Sequence, residues 1–321
     1  MEKKIIIFSG DPYSINSEII YKSWKKLSKS TKRKIILISN FKLLQQQFNI
    51  LKYSIKMKKI DSINQIDKSD KLKVLDINFN FDHAFKVKGK IVSRYVKKSL
   101  DYAHNLANKK NVLGIINCPI NKNHLGRSNF GVTEYLAGKC KIKKNSEVMF
   151  IKSKKFGVVP VTTHINLRDV SKRINKKLIL DKITSLNNNY KKLFKKKPKI
   201  GVLGINPHNS ELSKNSEEKK IIIPSISQLK KKGLNVTGPL VSDTVFIKEY
   251  KKYDVIVGMY HDQVLSPFKS IFKFDAINIT LGLNYIRVSP DHGTAVHLIG
   301  KRKADASSLI KSIDFINKFG K

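Results

Sequence analysis

The chain has 321 residues, of which 40% are hydrophobic, and 64 Lys and Arg against 24 Asp and Glu give it a formal net charge of +40. This length allows one large domain or two coupled ones, and no apolar run approaches the roughly 20 residues that span a bilayer. Only seven of the 64 basic residues are arginines, whereas base readout and bidentate phosphate contacts favour arginine. The composition therefore argues against a membrane protein and against a dedicated nucleic-acid-binding protein.

The two cysteines, Cys118 and Cys140, are too few for a disulfide framework and lack zinc-type spacing. The apolar stretch Ile5–Phe8 is too short for a secretory signal and is typical of a first β-strand. These features predict a soluble protein of the reducing cytoplasm.

Short β-branched runs alternate along the chain with longer stretches of helical periodicity, which is typical of an α/β fold. The predicted strands are Ile5–Phe8, Ile35–Ser39, Val112–Asn117, Val148–Lys152, Gly157–Thr163, Ile200–Ile205, Asp254–Met259 and Ala276–Leu281. The predicted helices are Ser17–Leu27, Tyr95–Asn108, Asn175–Leu193, Ser216–Lys232 and a last one from about Ala306. Between Phe48 and Gly89 the pattern is weak and indicates only short strand-like pieces.

Three histidines, His164, His208 and His261, directly follow predicted strands. Because ligands of open α/β sheets bind beyond the carboxyl ends of the strands, these imidazoles could converge on one divalent metal. The alternative is that each is a hydrogen-bonded histidine in a turn. Spacing alone does not decide between the two, since convergence depends on the fold.

Further polar residues stand at comparable positions in the last third of the chain. They are Asp243, Lys269, Asn278, Arg287, Asp291 and His292. Lysine and arginine near a metal suit a substrate with carboxylate or phosphate groups. Ordinary surface charge is a strong alternative for Lys269, whereas Arg287 is more informative because arginine is rare here and this one stands between Ile286 and Val288.

Several continuous motifs carry a resemblance that runs nearly from end to end, from Gly10-Asp11-Pro12 to Ala304-Asp305. They are Thr162-Thr163-His164-Ile165-Asn166-Leu167-Arg168-Asp169, Gly204-Ile205-Asn206-Pro207-His208, Gly238-Pro239-Leu240-Val241-Ser242-Asp243-Thr244, Met259-Tyr260-His261-Asp262-Gln263 and Asn278-Ile279-Thr280-Leu281-Gly282-Leu283. With them the chain resembles the 4-hydroxythreonine-4-phosphate dehydrogenase family of pyridoxal phosphate biosynthesis. The resemblance implies an isocitrate/isopropylmalate dehydrogenase-like fold: a single enzyme unit, 1–321, of two interleaved α/β subdomains with the active site in the cleft between them.

The resemblance also implies roles for individual residues. The histidines that match the family's metal ligands are His164, His208 and His261, one of which the second subunit of a homodimer supplies. The residues that match its substrate-binding positions are Thr133, Lys269, Asn278 and Arg287. The turn that looks like the nucleotide-binding turn of isocitrate and isopropylmalate dehydrogenases contains His292, Gly293 and Thr294. Asp243 and Lys269 are the expected catalytic residues, Asp243 by residue type and position only.

The implied reaction is the NAD-dependent, metal-assisted oxidation and decarboxylation of 4-phosphohydroxy-L-threonine to 3-amino-2-oxopropyl phosphate. NADP and the choice among Zn, Mg, Co and Mn stay open. One alternative is a dehydrogenase of another phosphorylated sugar acid, threonate or erythronate 4-phosphate. Two alternatives of other classes are a binding protein that has lost catalysis and a basic protein that binds nucleic acid non-specifically.

Three departures from the family pattern concern the substrate shell. The early Gly-Asp-Pro-Ala-Gly-Ile-Gly-Pro-Glu reads Gly10-Asp11-Pro12-Tyr13-Ser14-Ile15-Asn16-Ser17-Glu18, so two glycines are missing. The family's Gly-His-Thr-Glu reads Gly131-Val132-Thr133-Glu134, and valine cannot form the hydrogen bonds of histidine. The Gly-Glu-Gly-Gly after the second metal histidine is replaced by Ser210-Glu211-Leu212-Ser213.

Overall fold

The computed structural model describes residues 2–65, 69–87, 89–126, 131–154, 156–273 and 275–320. The chain forms two compact units, and we refer to Met1–Ser128 with Asn284–Lys321 as unit 1 and to Asn129–Leu283 as unit 2. Unit 1 is therefore discontinuous in sequence. None of the helices in the described ranges is long and apolar enough to cross a membrane.

Twelve strands and eleven α-helices form within the described ranges. The strands are β1 (Lys4–Phe8), β2 (Ile35–Ser39), β3 (Met57–Ile60), β4 (Leu72–Asp76), β5 (Val112–Asn117), β6 (Val148–Lys152), β7 (Gly157–Pro160), β8 (Ile200–Leu203), β9 (Val236–Leu240), β10 (Val255–Gly258), β11 (Ile277–Leu281) and β12 (Arg287–Pro290). The helices are α1 (Asn16–Lys26), α2 (Lys29–Lys34), α3 (Phe41–Ile50), α4 (Lys90–Ala107), α5 (Val132–Lys139), α6 (Val170–Arg173), α7 (Lys176–Phe194), α8 (Ile223–Lys231), α9 (Ser242–Val245), α10 (His261–Phe272) and α11 (Ser307–Phe319).

The strands of unit 1 lie in the order β3-β4-β2-β1-β5-β12, and their pairings are parallel. The central strand β1 is almost wholly apolar, with Ile5, Ile6 and Phe8 fully buried, as expected for a parallel strand covered on both faces. Helix α4 covers this sheet with a buried stripe at helical spacing, including Val92, Val96 and Leu100. The carboxyl ends of the parallel strands lie at one edge of the sheet. The loops at this edge contain the polar residues of unit 1 that are described in the next subsection.

The strands of unit 2 lie in the order β11-β6-β7-β10-β8-β9. Strands β7, β10, β8 and β9 are parallel, whereas β6 is antiparallel to both of its neighbours, β7 and β11. An aromatic cluster fills part of the core, where the ring of Phe156 contacts those of Phe246, Tyr250, Phe268 and Phe272. The parallel part of the sheet brings several strand ends to one edge, and the predicted histidines follow three of these ends.

The predicted α/β class is confirmed, and most predicted elements are found with shifts of a few residues. The weak region between Phe48 and Gly89 contains two regular strands, β3 and β4, whose apolar pattern is interrupted by Lys58 and Lys59 in β3 and by Lys73 in β4. The prediction also missed two strands, β9 and β12, and six helices, α2, α3, α5, α6, α9 and α10. Gly238 and Pro239 interrupt the pattern of β9, and Pro267 lies inside α10, so these two elements contain residues that usually end such elements.

Candidate functional site

His164 lies in the loop that follows β7, and hydrogen bonds from Thr162, two residues earlier, fix this loop. Thr162 donates two hydrogen bonds to the Met259 carbonyl, from its backbone N–H at 3.1 Å and from its hydroxyl at 2.7 Å. These bonds join the loop after β7 to the end of β10. Since His261 follows Met259 by two residues, the same contact brings two of the predicted metal ligands to one place.

The carboxylate of Glu134 is the next element of this site. It accepts hydrogen bonds from the backbone N–H of Gly131 at 2.9 Å and from the Thr163 hydroxyl at 3.0 Å. Its Oε1 lies 3.9 Å from Nδ1 of His164, which is longer than a hydrogen bond but close enough for an electrostatic contact. A carboxylate beside a metal-ligating histidine is a common way to orient the ring. The sequence analysis assigned Glu134 no role, because only the fold brings it to His164.

His261 begins helix α10, and its ring centroid lies 5.9 Å from that of His164. Its Nδ1 is 2.7 Å from Oδ1 of Asp262. The structure therefore brings two of the three predicted ligands together. Within the described ranges of one chain, no three His, Cys, Asp or Glu side chains form a group able to hold a metal. His208 of the same chain therefore does not join His164 and His261 as a third ligand.

His208 is exposed and lies in an unusual turn after β8. Five consecutive residues, His208 to Leu212, have φ between 47° and 57°, the left-handed region that favours glycine. Asn209 anchors the turn, since it is buried and its Nδ2 donates to the Pro239 carbonyl at 3.2 Å. The turn thus presents His208 outward on a fixed backbone.

A fully buried carboxylate, Glu218, holds the segment that leads into this turn. It accepts hydrogen bonds from the backbone N–H groups of Ile205 and Asn206 and from the Asn206 side chain, at 2.8 to 3.0 Å. Burial raises the pKa of Glu218, but the hydrogen bonds from Asn206 and Ile205 outweigh it and leave the pKa below its ordinary value. Glu218 is therefore a structural anion that fixes the path of the chain toward His208.

Two predicted substrate residues lie on or against β11. Thr133, buried at the start of α5, places its hydroxyl 3.2 Å from that of Thr280. Asn278 stands two residues before Thr280 and therefore on the same face of the strand. Its Oδ1 is buried and has no hydrogen-bond partner among the described residues, as expected of an amide that awaits a ligand. Thr280 is a site candidate that the sequence analysis did not single out.

The two predicted catalytic residues differ in their surroundings. Asp243 is exposed in the first turn of α9, where the helix N-terminus favours a negative charge. Lys269 is half-buried in the last turn of α10. These surroundings do not test the catalytic roles of Asp243 and Lys269, which stay predictions.

The remaining predicted residues lie in unit 1. Arg287 begins β12, is only 2% exposed, and donates from Nε to Oδ1 of Asn117 at 2.6 Å. This hydrogen bond to a neutral amide holds the guanidinium in place at the start of β12.

The predicted nucleotide turn follows β12. The Thr294 carbonyl accepts from the backbone N–H of Ile15 at 3.1 Å, and His292 Nδ1 lies 3.0 Å from the Gly293 carbonyl. A side chain at the exposed Gly293 would meet no atom within 4 Å, so internal packing does not explain the glycine. An open backbone at this position fits a ligand that approaches closely.

Asp11 organises a second polar cluster in unit 1. Its buried carboxylate accepts from the backbone N–H groups of Tyr13 and Asn121 and lies 3.1 Å from Nε2 of His124. Nδ1 of His124 is in turn 2.9 Å from the Ser93 hydroxyl. The sequence analysis did not assign roles to these residues, which the fold alone brings together. The cluster fixes the Gly10-Asp11-Pro12 loop against the segment after β5.

Comparison with known proteins defines the class of fold and then the family. The structure of an isocitrate dehydrogenase from Methylococcus capsulatus matches with a TM-score of 0.52 at 10% identity, covering 99% of this chain and 85% of that one. The 1.25 Å crystal structure of 4-hydroxythreonine-4-phosphate dehydrogenase from Klebsiella pneumoniae matches with a TM-score of 0.84 at 29% identity and covers both chains fully. The predicted isocitrate dehydrogenase-like fold is confirmed.

Sequence relatives agree with the structural match. The 4-hydroxythreonine-4-phosphate dehydrogenase of Sulfurihydrogenibium sp. is 38% identical over 97% of this chain and 96% of its own length. A putative D-threonate 4-phosphate dehydrogenase of Oceanobacillus iheyensis is 32% identical over 98% and 97%. The family model for the pyridoxal phosphate biosynthetic protein PdxA matches residues 31–316, and the chain belongs to this family. The predicted family is confirmed.

Proposed function

We propose that the chain catalyses the NAD-dependent, metal-assisted oxidation and decarboxylation of 4-phosphohydroxy-L-threonine to 3-amino-2-oxopropyl phosphate. The observation that carries this proposal is the pair of His164 and His261, joined at two strand ends in a chain that matches the dehydrogenases of this family over nearly its whole length. In the reaction the substrate's hydroxyl carbon loses a hydride to NAD and its hydroxyl loses a proton. The new carbonyl lies β to the carboxylate, so carbon dioxide can leave with the electrons of the broken C–C bond retained as an enolate, which takes up a proton on carbon to give the product.

The donor atoms present fit both groups that this reaction needs. Imidazole nitrogens of His164, His261 and His208 would hold the metal and suit Zn or Co better than Mg or Mn, which prefer oxygen. The open backbone around Gly293 and the imidazole of His292 would hold NAD. When bound, the metal supplies Lewis-acid stabilisation of negative charge on the reacting oxygen, and NAD supplies the hydride acceptor.

The side chains of the protein bind and orient the substrate. We assign Lys269 and Arg287 to its carboxylate and phosphate, because both are cations restrained by partial or full burial. Asn278 offers to a substrate donor group a buried oxygen that has no hydrogen-bond partner among the described residues, and Thr133 offers the hydroxyl that lies beside that of Thr280. Asp243 would accept the proton that the hydroxyl loses, directly or through a water molecule.

We propose a homodimer in which His208 of one subunit completes the metal site of the other. The support is that one chain gathers His164 and His261 but no third ligand among its described residues. Mixing the inactive variants His164→Ala and His208→Ala would then restore activity, since each mixed dimer contains one intact site. We expect about a quarter of the wild-type rate after subunit exchange. A mixture that stays inactive would contradict the shared site.

The activity itself is tested by NADH formation with purified protein, NAD, a divalent metal and 4-phosphohydroxy-L-threonine. We expect metal-dependent turnover that His208→Ala abolishes without change in the thermal unfolding midpoint. His297→Ala is the matched control, because His297 is an exposed histidine outside the assigned residues. Turnover of His208→Ala at the wild-type rate would exclude His208 as a metal ligand.

A second candidate substrate is D-threonate 4-phosphate or erythronate 4-phosphate. Two observations favour it: the similarity to the Oceanobacillus iheyensis relative and the replacement of the family's histidine by Val132. The ratio of kcat/KM values for the three compounds decides between the candidates. Preference for a sugar-acid phosphate would make Val132 part of a specificity change.

We also propose a cytoplasmic location. Cys118 and Cys140 are both free thiols in the structure. Burial raises the pKa of the Cys118 thiol, so it is protonated and chemically inert at neutral pH. A pair of unlinked thiols is what a reducing compartment maintains.

A further inference from the structure

The side-chain amide of Gln263 joins three separate segments of unit 2. Gln263 is the third residue of α10, two positions after His261. Its Oε1 accepts from the backbone N–H of Met259 at 2.6 Å, and its Nε2 donates to the Gly204 carbonyl at 2.7 Å and to the Ser242 hydroxyl at 2.8 Å. Both amide hydrogens are therefore used.

Each of these three contacts lies next to a residue assigned to the site. Met259 precedes His261, Gly204 begins the segment that leads to His208, and Ser242 precedes Asp243. Through the bonds from Thr162 to Met259, the loop of His164 is tied to the same point. One amide thus connects the ends of β10 and β8 with the first turn of α9.

The orientation of this amide is fixed by chemistry. A backbone N–H can only donate and a carbonyl can only accept, so exchanging the amide oxygen and nitrogen would place like groups against each other. The absence of a side chain at Gly258 gives the Gln263 amide its space, because a Cβ there would lie 2.9 Å from Gln263 Oε1 and 2.5 Å from a methyl of Val264. Glycine at 258 is therefore required by the packing of Gln263 and Val264.

We propose that Gln263 is a positioning residue: it holds the segments of His208 and Asp243 against the start of α10, so that Asp243 is aligned with His261 of its own subunit and His208 with the site that the proposed dimer shares. This inference rests on the proposed function for the roles of those three residues. The bonds to Gly204 and Ser242 fix these two segments relative to α10, because they join different parts of the chain. The bond to Met259 stays within the turn that Gln263 belongs to. A displacement of about 1 Å in a catalytic segment can lower the rate by roughly 100-fold.

Gln263→Glu removes one of the two cross-segment contacts. The carboxylate has the same shape, still accepts from Met259 and can accept from the Ser242 hydroxyl, but it cannot donate to Gly204 and repels that carbonyl. Gln263→Met removes all three bonds at similar volume, and Gln228→Glu on α8 is the control for an added charge on a half-buried glutamine of the same unit. The readouts are kcat and the hydrogen exchange of residues 205–212 and 242–245 in the full chain.

We expect Gln263→Met to accelerate exchange in both segments and Gln263→Glu to accelerate it in residues 205–212, each with a kcat lowered by roughly 10- to 100-fold, while Gln228→Glu matches the wild type. Wild-type exchange in both segments of Gln263→Met, or faster exchange with kcat within about twofold of the wild type, would overturn the proposal. If the wild type turns over none of the substrates, the proposed function fails. Exchange in Gln263→Met then decides separately whether the amide links the segments.

Discussion

Two loops of this chain have lost glycines that the family pattern contains, and the protein accommodates the two losses differently. One loop is Gly10 to Asn16 in unit 1, and the other is the turn from His208 to Leu212 in unit 2. In the first, the side chains at the former glycine positions form hydrogen bonds, and neither residue has a positive φ. In the second, the backbone has the left-handed conformation that glycine favours.

In the unit 1 loop, Ser14 and Asn16 occupy the positions of the missing glycines and are almost fully buried. The Ser14 hydroxyl donates to the Asp11 carbonyl at 2.5 Å and accepts from the Asn16 backbone N–H at 3.1 Å. The Asn16 amide donates to the Pro119 carbonyl at 2.8 Å. Neither residue has a positive φ, so a side chain costs nothing in backbone strain and adds internal hydrogen bonds.

In the unit 2 turn, Ser210 and Leu212 replace glycines at φ values of 49° and 54°. A left-handed conformation costs an ordinary residue about 1 kcal/mol or more relative to glycine. Asn209 and Glu218 maintain the turn through the contacts described above. The comparison shows that the effect of losing a glycine depends on the φ angle at that position.

Gly10→Ala should have the largest effect on stability. At a φ of 80°, a Cβ here would lie 2.3 Å from Nδ2 of Asn16 and 2.5 Å from the Pro119 carbonyl oxygen, so the loop must move. We expect the free energy of unfolding to fall by about 3 kcal/mol, as measured by urea denaturation. Gly300→Ala is the control, because Gly300 has a φ of 79° with no atom within 4 Å of a Cβ. Equal losses for the two variants would show that Asn16 does not fill the loop.

Asn16→Gly restores the family residue and should nevertheless destabilise the protein. It removes the hydrogen bond to Pro119 and leaves that carbonyl without the Asn16 donor. We expect a loss of about 2 kcal/mol in the free energy of unfolding. Asn16→Asp, which keeps the size but cannot donate, should lose at least as much. A stabilised Asn16→Gly would mean that the two loops do not differ in the way described.

Leu212→Gly restores a family glycine in the other loop and should stabilise the protein. It relieves the left-handed strain, and the side chain that it removes is 45% exposed. We expect a gain of about 1 kcal/mol in the free energy of unfolding, and a similar one for Ser210→Gly. Leu212→Ala separates the causes, since it removes the side chain but keeps a Cβ. If alanine stabilises as much as glycine, strain in the backbone is not the reason.

Val132→His tests the third departure and should have the smallest effect. Val132 is half-buried beside Thr133 at the start of α5, so an imidazole there would add one polar contact to a bound substrate. A hydrogen bond of about 1 kcal/mol corresponds to a roughly fivefold rise in kcat/KM for 4-phosphohydroxy-L-threonine. An unchanged kcat/KM would show that this position no longer contacts the substrate.

The sequence predicted the α/β class and most elements, because β-branched runs and helical periodicity directly reflect burial. It also identified the strand-end histidines His164 and His261, which the structure brings together. The contacts of Glu134 and Gln263 could not be predicted, since they depend on bonds between residues 21 to 59 positions apart in the chain. Nor does any local pattern show the left-handed turn at His208, because its residues are not glycine.

The most direct test of the account is a combined measurement of NADH and carbon dioxide during turnover of 4-phosphohydroxy-L-threonine, before and after removal of divalent metal by a chelator. If the chain keeps the chemistry of its family despite its altered loops, both products form in equal amounts and both stop after chelation, returning when metal is added. Turnover that continues at the same rate without metal, or NADH without carbon dioxide, would contradict the proposed reaction.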